Sequence, residues 1–92
     1  AESGSTKTDW VLVNDNNDIT LFKTIGFNPF FHSTEFIAKE ILSHRGFYDA
    51  SKDVTHVYFY GAGCSSDKMN NIVRDGLSSI FKSSEVIVIM IF

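Results

Sequence analysis

A short polar stretch near the start of the chain has the composition of a phosphate-binding turn. It comprises Ser3, Gly4, Ser5, Thr6 and Lys7. Hydroxyl groups, backbone N–H groups around a glycine and a lysine ammonium all hold anions. Glu2 precedes the stretch, and Mg²⁺ is bound in proteins by carboxylate oxygens together with substrate phosphates. The pattern therefore predicts a Mg-nucleotide site, and the alternative is an ordinary polar hairpin turn without a ligand.

A second polar loop centres on Asn28. Pro29 follows it, and a residue before proline is restricted to extended conformations. The Asn28 amide, which both donates and accepts hydrogen bonds, is therefore expected to be fixed in a loop between aromatic residues, where it suits a sugar or another polyol. The alternative is an Asx-type turn in which Phe30 and Phe31 belong to the core.

A third candidate is the glycine-rich turn that contains Gly61, Gly63 and Cys64 and follows an apolar strand. Ligands of open α/β sheets collect at the carboxyl ends of strands. A dinucleotide-binding turn needs another glycine where Ser66 stands, so this turn alone is a weak signal. A catalytic role for Cys64 is disfavoured, because no histidine stands at a recognisable dyad spacing.

Apolar periodicity predicts the elements that position these loops. Alternation favours hairpin strands at 10–13 and 19–27 around a polar turn at 14–18. One helix is expected to begin at Ser33 and end at Gly46, and another to begin at Ser65 or Ser66, with Gly76 allowing it to approach the sheet. Strands at 54–60 and 85–92 are apolar on both faces, which predicts inner strands covered by helices. This order of elements predicts an α/β fold with a mostly parallel sheet.

The composition limits the function classes. A chain of 92 residues predicts one domain. Its net charge of −3 disfavours a general nucleic-acid binder. A single cysteine fits a reducing compartment, and we expect a cytoplasmic protein. The chain carries no signal-peptide pattern, and its apolar end is too short to cross a membrane, so neither nucleic acid nor membrane is an expected partner.

Three motifs in order resemble the BadF/BadG/BcrA/BcrD ATPase family and, within it, bacterial proteins similar to N-acetylglucosamine kinase. The motifs are residues 2–10, 26–29 and 58–64, and the resemblance extends from residue 2 to about residue 88. It implies the ribonuclease H-like (actin-like ATPase) fold, which has a mixed sheet with flanking helices. Residues 1–92 would then be an incomplete N-terminal domain. Two such domains hold ATP and sugar between them in the family.

The resemblance implies a role for each motif. Glu2 stands at the position that coordinates Mg²⁺. The turn that contains Ser5 and Thr6 meets the ATP phosphates. Asn28 stands where the family's asparagine contacts the sugar, and Gly61 and Gly63 border the same cleft. The implied ligands are therefore ATP, Mg²⁺ and a small sugar.

The family pattern also contains parts that these residues lack. Its apolar first strand lies before Glu2 in the middle of the sheet, and without it two inner strand edges are expected to be unpaired and open to self-association. The aspartate that acts as general base is expected beyond residue 92, so we expect residues 1–92 alone to lack kinase activity. Two alternatives stay open: a BadF-type ATPase that activates a partner enzyme, and a non-catalytic ligand-binding fragment.

Overall fold

The computed structural model describes residues 1–4, 6–61 and 66–90. Ser5, Gly63, Cys64 and the last two residues of the predicted final strand lie outside this part. The strands are β1 (Glu2–Ser3), β2 (Lys7–Val13), β3 (Ile19–Ile25), β4 (His56–Gly61) and β5 (Glu85–Met90). The helices are α1 (Thr34–Ser43), α2 (Arg45–Ser51) and α3 (Asp67–Ile80).

The strands form one mixed sheet in the order β3-β2-β1-β4-β5. β1 pairs antiparallel with β2, and β2 pairs antiparallel with β3. β1 pairs parallel with β4, and β4 pairs parallel with β5. The chain therefore has the predicted α/β class. The expectation of a mostly parallel sheet is wrong, because the pairings divide equally between the two kinds.

β1 lies in the centre of the sheet, so the expectation of unpaired inner strand edges is correct only for the parts of β2 and β4 that β1 and Ala1 do not reach. Glu2 pairs with Asp9 on one side and with Tyr60 on the other. Ala1 continues the pairing with β4, because its carbonyl accepts the Tyr60 N–H at 2.9 Å and its amino group donates to the Tyr58 carbonyl. The inner edges of β2 and β4 are thus bridged at one end, and beyond Ala1 the two strands continue without pairing with each other.

The predicted hairpin of β2 and β3 is confirmed, and its pairing extends over the full length of both strands. The hairpin turn at 14–18 supplies its own hydrogen bonds. The Asn14 side-chain oxygen accepts the N–H groups of Asn16 and Asp18, each at 2.9 Å. Asn17 has a φ of 62°, in the left-handed region that asparagine tolerates better than most residues. The side chains of the turn therefore fix its shape locally.

The predicted helix starts are also confirmed. The hydroxyls of Ser33 and Ser66 each accept the backbone N–H three residues later, at 3.1 and 3.3 Å, as N-caps do. The predicted end at Gly46 is wrong, because α1 ends at Ser43 and α2 begins at Arg45. Most of the connection expected at 47–53 is therefore helical.

The described helices pack against one face of the sheet. The buried apolar side chains that this face contributes to the core are Trp10, Val57, Phe59 and Val88. In β4, exposed and buried residues alternate strictly. The expectation that helices cover this strand on both sides is therefore wrong for the described residues. The opposite face carries exposed large apolar side chains, namely Val11, Val13, Ile19, Leu21, Ile25, Tyr58, Tyr60 and Ile89.

Gly76 brings two helices together, whereas the sequence predicted contact with the sheet. A methyl group at Gly76 would lie 3.0 Å from the Ile37 side chain and 3.0 Å from the Thr34 carbonyl oxygen. Ile37 is fully buried, so it has little room to move. At Gly46 a methyl group would meet only the Phe22 ring, at 3.9 Å, which is ordinary contact.

We expect Gly76→Ala to lower the free energy of unfolding by about 1 kcal/mol. Overpacking costs about 1–3 kcal/mol, and the higher helix propensity of alanine offsets about 1 kcal/mol of it. Gly46→Ala is the matched control and should raise the free energy of unfolding by up to about 1 kcal/mol, because the propensity gain is unopposed there. Urea denaturation measures both, and a stabilised Gly76→Ala variant would contradict the close helix contact.

Candidate functional site

The loops that carry the predicted site residues meet at one end of the sheet. β1, β3 and β4 run in the same direction, since β1 and β3 are both antiparallel to β2 and β4 is parallel to β1. Their carboxyl ends therefore share one edge. Ser3, at the end of β1, pairs with Thr8 on one side and with Gly61 on the other. The polar turn, by which we mean residues 3–7, the Asn28 loop and Gly61 are thus neighbours.

The Ser3 side chain joins the polar turn to the loop after β3. Its Oγ accepts the Phe27 N–H at 2.9 Å and lies 2.8 Å from the Thr8 Oγ1. The Thr8 Oγ1 also lies 2.9 Å from the Ile25 carbonyl oxygen. Ser3 and Thr8 are both buried. The Ser3 hydroxyl is therefore engaged within the protein, where it fixes the position of the neighbouring loop.

Among the described residues of the turn, Thr6 and Lys7 are exposed and carry a hydroxyl and an ammonium group. The Gly4 N–H closes the turn by donating to the Lys7 carbonyl at 2.9 Å. The Lys7 Nζ lies 3.5 Å from the Asp9 carboxylate, and both side chains are largely exposed. Exposed ion pairs of this kind contribute little, so the ammonium is free to turn towards an anion.

Glu2 and Asp9 form a pair of carboxylates on the open face of the sheet, which is the face opposite the helices. They are direct cross-strand partners, which places their Cβ atoms about 5 Å apart. Like charges in this position repel each other, and one or two carboxylates are what Mg²⁺ takes when phosphates complete its coordination. The described residues contain no group of three or more His, Cys, Asp or Glu side chains that could hold a metal. The pair therefore fits Mg²⁺ only as part of a Mg-phosphate complex.

The sequence pattern indicated Glu2 as a candidate carboxylate but did not indicate Asp9, its cross-strand partner. The two residues are seven positions apart, and only the strand register brings them opposite each other. A hairpin turn with a carboxylate on each flank is the signal that would have found Asp9.

Asn28 adopts the Asx-type turn that was the alternative prediction. Its side-chain oxygen accepts the Phe30 N–H at 2.9 Å, and its backbone N–H donates to the His32 Nδ1 at 3.1 Å. The core role expected for Phe30 and Phe31 is wrong, since these side chains are 59% and 82% exposed. The Asn28 amide nitrogen is still a donor that a sugar hydroxyl can accept.

Comparison with known proteins adds no family to this picture. No family model matches the chain, and no curated protein matches it. The resemblance of the three motifs therefore stays a prediction, as do the roles it implies. Among the described helices, none combines the length and the apolar composition needed to cross a membrane.

Proposed function

We propose that residues 1–92 form the phosphate-turn part of an ATP-dependent sugar kinase similar to N-acetylglucosamine kinase, with a ribonuclease H-like fold. The observation that carries this proposal is the convergence of the polar turn, the Asn28 loop and Gly61 at the carboxyl edge of one sheet. The topology supports it as well. β1 lies between the hairpin and β4, where the resemblance places the central strand.

In this proposal each group has a chemical task. Thr6 and Lys7 hold phosphate oxygens at the turn, and the Asn28 amide orients a sugar hydroxyl. Glu2, with Asp9 beside it, holds Mg²⁺. The cation supplies neutralisation of the charge that develops on the phosphates during phosphoryl transfer. The Ser3 side chain keeps the Asn28 loop against the turn. The base that accepts the hydroxyl proton is proposed to lie beyond residue 92. The protein is proposed to be cytoplasmic.

Titration of the 92-residue chain with ATP, in the presence and absence of Mg²⁺, tests the proposal. We expect saturable binding that depends on Mg²⁺ and that Thr6→Ala weakens by at least about tenfold, because a hydrogen bond to a charged group contributes about 1.5–3 kcal/mol. Thr20→Ala is the matched control, since Thr20 is an exposed threonine in β3 that pairs with Leu12 far from the turn. Calorimetry gives both affinities, and an equal loss in the two variants would contradict a phosphate site at the turn.

The same titration distinguishes the alternatives. In a sugar kinase, N-acetylglucosamine should raise the affinity for Mg-ATP and should lose this effect with Asn28→Ala. In a BadF-type ATPase that activates a partner enzyme, nucleotide binding should be independent of the sugar. A non-catalytic fragment that binds another ligand should bind neither compound.

A further inference from the structure

Strand β3 forms one edge of the sheet, and in the described part of the chain it pairs only with β2. Its register with β2 advances one residue at a time from Ile19 to Ile25, without a β-bulge. The strand contains no proline, and Lys23 is its only charged residue. Sheets protect long edges with charges, prolines or bulges, because an open edge is a template for another strand. A single lysine is a weak protection for an edge of this length.

The hairpin bonds show which backbone groups of β3 point outwards. The Asn14 N–H donates to the Asp18 carbonyl at 3.2 Å, and in an antiparallel ladder hydrogen-bonded pairs alternate with non-hydrogen-bonded ones. The bond from the Gly4 N–H to the Lys7 carbonyl gives the same alternation, because it turns the Lys7 carbonyl towards β1. The even-numbered residues of β3 therefore bond to β2. The N–H and C=O groups that point away from β2 belong to Ile19, Leu21, Lys23 and Ile25.

The sequence of β3 reads almost the same in both directions from its central residue, Phe22. The positions two residues to either side of Phe22 are both threonine, and the positions three residues to either side are both isoleucine. Only the adjacent positions differ, with Leu21 on one side and Lys23 on the other. Two antiparallel copies of this strand would place nearly every residue opposite one of the same kind. A strand that pairs with an unrelated polypeptide has no need of such symmetry.

We propose that two copies of this chain associate through β3, with the two strands antiparallel about a twofold axis at Phe22. Leu21 then lies opposite Lys23 of the second copy, and Ile19 lies opposite its Ile25. These are the residues whose backbone groups point outwards, so Leu21 and Lys23 exchange N–H···O bonds across the interface and the two sheets become one. A twofold pair uses the same edge of both copies and is closed.

The side chains of β3 also find partners in this register. On the open face, Ile19 and Leu21 are 65% and 72% exposed. Ile19 meets an isoleucine, and Leu21 meets the apolar stem of Lys23, which can cover it while the ammonium stays in water. On the face towards the helices, the two Phe22 residues are direct neighbours across the axis, and cross-strand aromatic pairs stabilise a sheet. The Phe22 ring is already stacked on Phe47, with the centroids 5.0 Å apart.

Other registers of the same two strands give poorer pairs. A shift by two residues in one direction places Lys23 opposite Lys23 of the second copy, and like charges directly opposite each other are destabilising. A shift by two residues in the other direction places Lys23 opposite Ile19 and leaves Ile25 without a partner. The proposal rests on residues 19–25 and on their hairpin with β2, and it is independent of nucleotide binding.

Charge substitutions at Leu21 test the proposal. Leu21→Lys places a second positive charge opposite Lys23 of the second copy and should weaken the dimer about tenfold, because like charges in cross-strand pairs are destabilising. Leu21→Glu places a carboxylate there and should strengthen the dimer about threefold, because opposite charges are stabilising. Val11→Lys is the matched control and should leave the dimer unchanged. Val11 lies beside Leu21 on the same face and is 57% exposed, but it stands in β2, away from the edge. Sedimentation at low salt gives the dissociation constants.

Amide hydrogen exchange tests the register directly. Above the dissociation constant of the dimer, exchange at Leu21 and Lys23 should slow by at least about tenfold relative to a dilute sample, because their N–H groups gain partners. Exchange at Thr20 and Phe22 should change less, since these residues already bond to β2.

Four results would overturn the proposal. The first is a chain that stays monomeric at every concentration up to the high micromolar range. The second is an equal loss of affinity in Leu21→Lys, Leu21→Glu and Val11→Lys, which would assign association to the open face of the sheet. The third is protection confined to β5, which would place the second copy at the other edge. The fourth is growth beyond the dimer, which would show that the pairing is not closed.

Discussion

Phe59→Ala is expected to lower the free energy of unfolding by about 3–5 kcal/mol, the cost of removing a large aromatic side chain from a packed core. Phe59 is fully buried, and its ring centroid lies 6.1 Å from that of Trp10. It stands in β4, so the cavity would open between the sheet and the helices. A domain has only about 5–15 kcal/mol of stability in total, and the variant should therefore unfold at a much lower denaturant concentration.

Leu21→Ala is the control for this variant. Leu21 is also a large apolar residue in a strand, but it lies on the open face and is 72% exposed. We expect it to change stability by no more than about 0.5 kcal/mol. Fluorescence of Trp10, the single tryptophan, reports the transition in both variants. Similar losses for the two would mean that the open face is covered in solution.

Ser3→Ala is expected to lower the free energy of unfolding by about 1–3 kcal/mol. The substitution leaves the buried Phe27 N–H without its acceptor and removes a partner of Thr8, and a buried polar group without a partner costs about that amount. Thermal denaturation, with and without Mg-ATP, measures the effect.

Thr6→Ala is the matched control, because Thr6 lies in the same turn and is exposed. It should leave stability without ligand unchanged and should reduce only the stabilisation that Mg-ATP provides. Ser3→Ala should instead lower the melting temperature both with and without Mg-ATP. If Ser3→Ala were as stable as the unsubstituted chain, the network beneath the site would not hold the loop.

Local signals in the sequence were sufficient for much of the fold. Ser33 and Ser66 begin helices because a serine hydroxyl can accept the N–H three residues later, and that signal is contained in four residues. The hairpin follows from alternation and from Asn14, whose side chain organises the turn. These features depend on neighbours in the chain, so the sequence contains them directly.

Two features that the sequence did not predict, helix α2 and strand β1, depend on contacts between different elements of the fold. Helix α2 contains Phe47, whose ring centroid lies 4.7 Å from that of Trp10 and 5.0 Å from that of Phe22. This packing overrides the tendency of Gly46 to end a helix. Glu2 and Ser3 are too few to show a periodic pattern, yet pairing on both sides makes them a strand. The register of that strand also decides which site residues meet, so Asp9 could not be found from spacing alone.

The position of β1 has a consequence for the order of folding. One partner of Glu2 in the sheet is Asp9, which lies seven positions away in the sequence. Hairpins such as β2–β3 form in about 1–10 μs. The other partner of Glu2 is Tyr60, and closing a long loop costs entropy before any contact forms. During synthesis at about 5–20 residues per second, about 3–12 seconds separate the appearance of these two residues. We infer that the hairpin forms early with one side of Trp10 still exposed, and that the pairing of β1 with β4 forms only later.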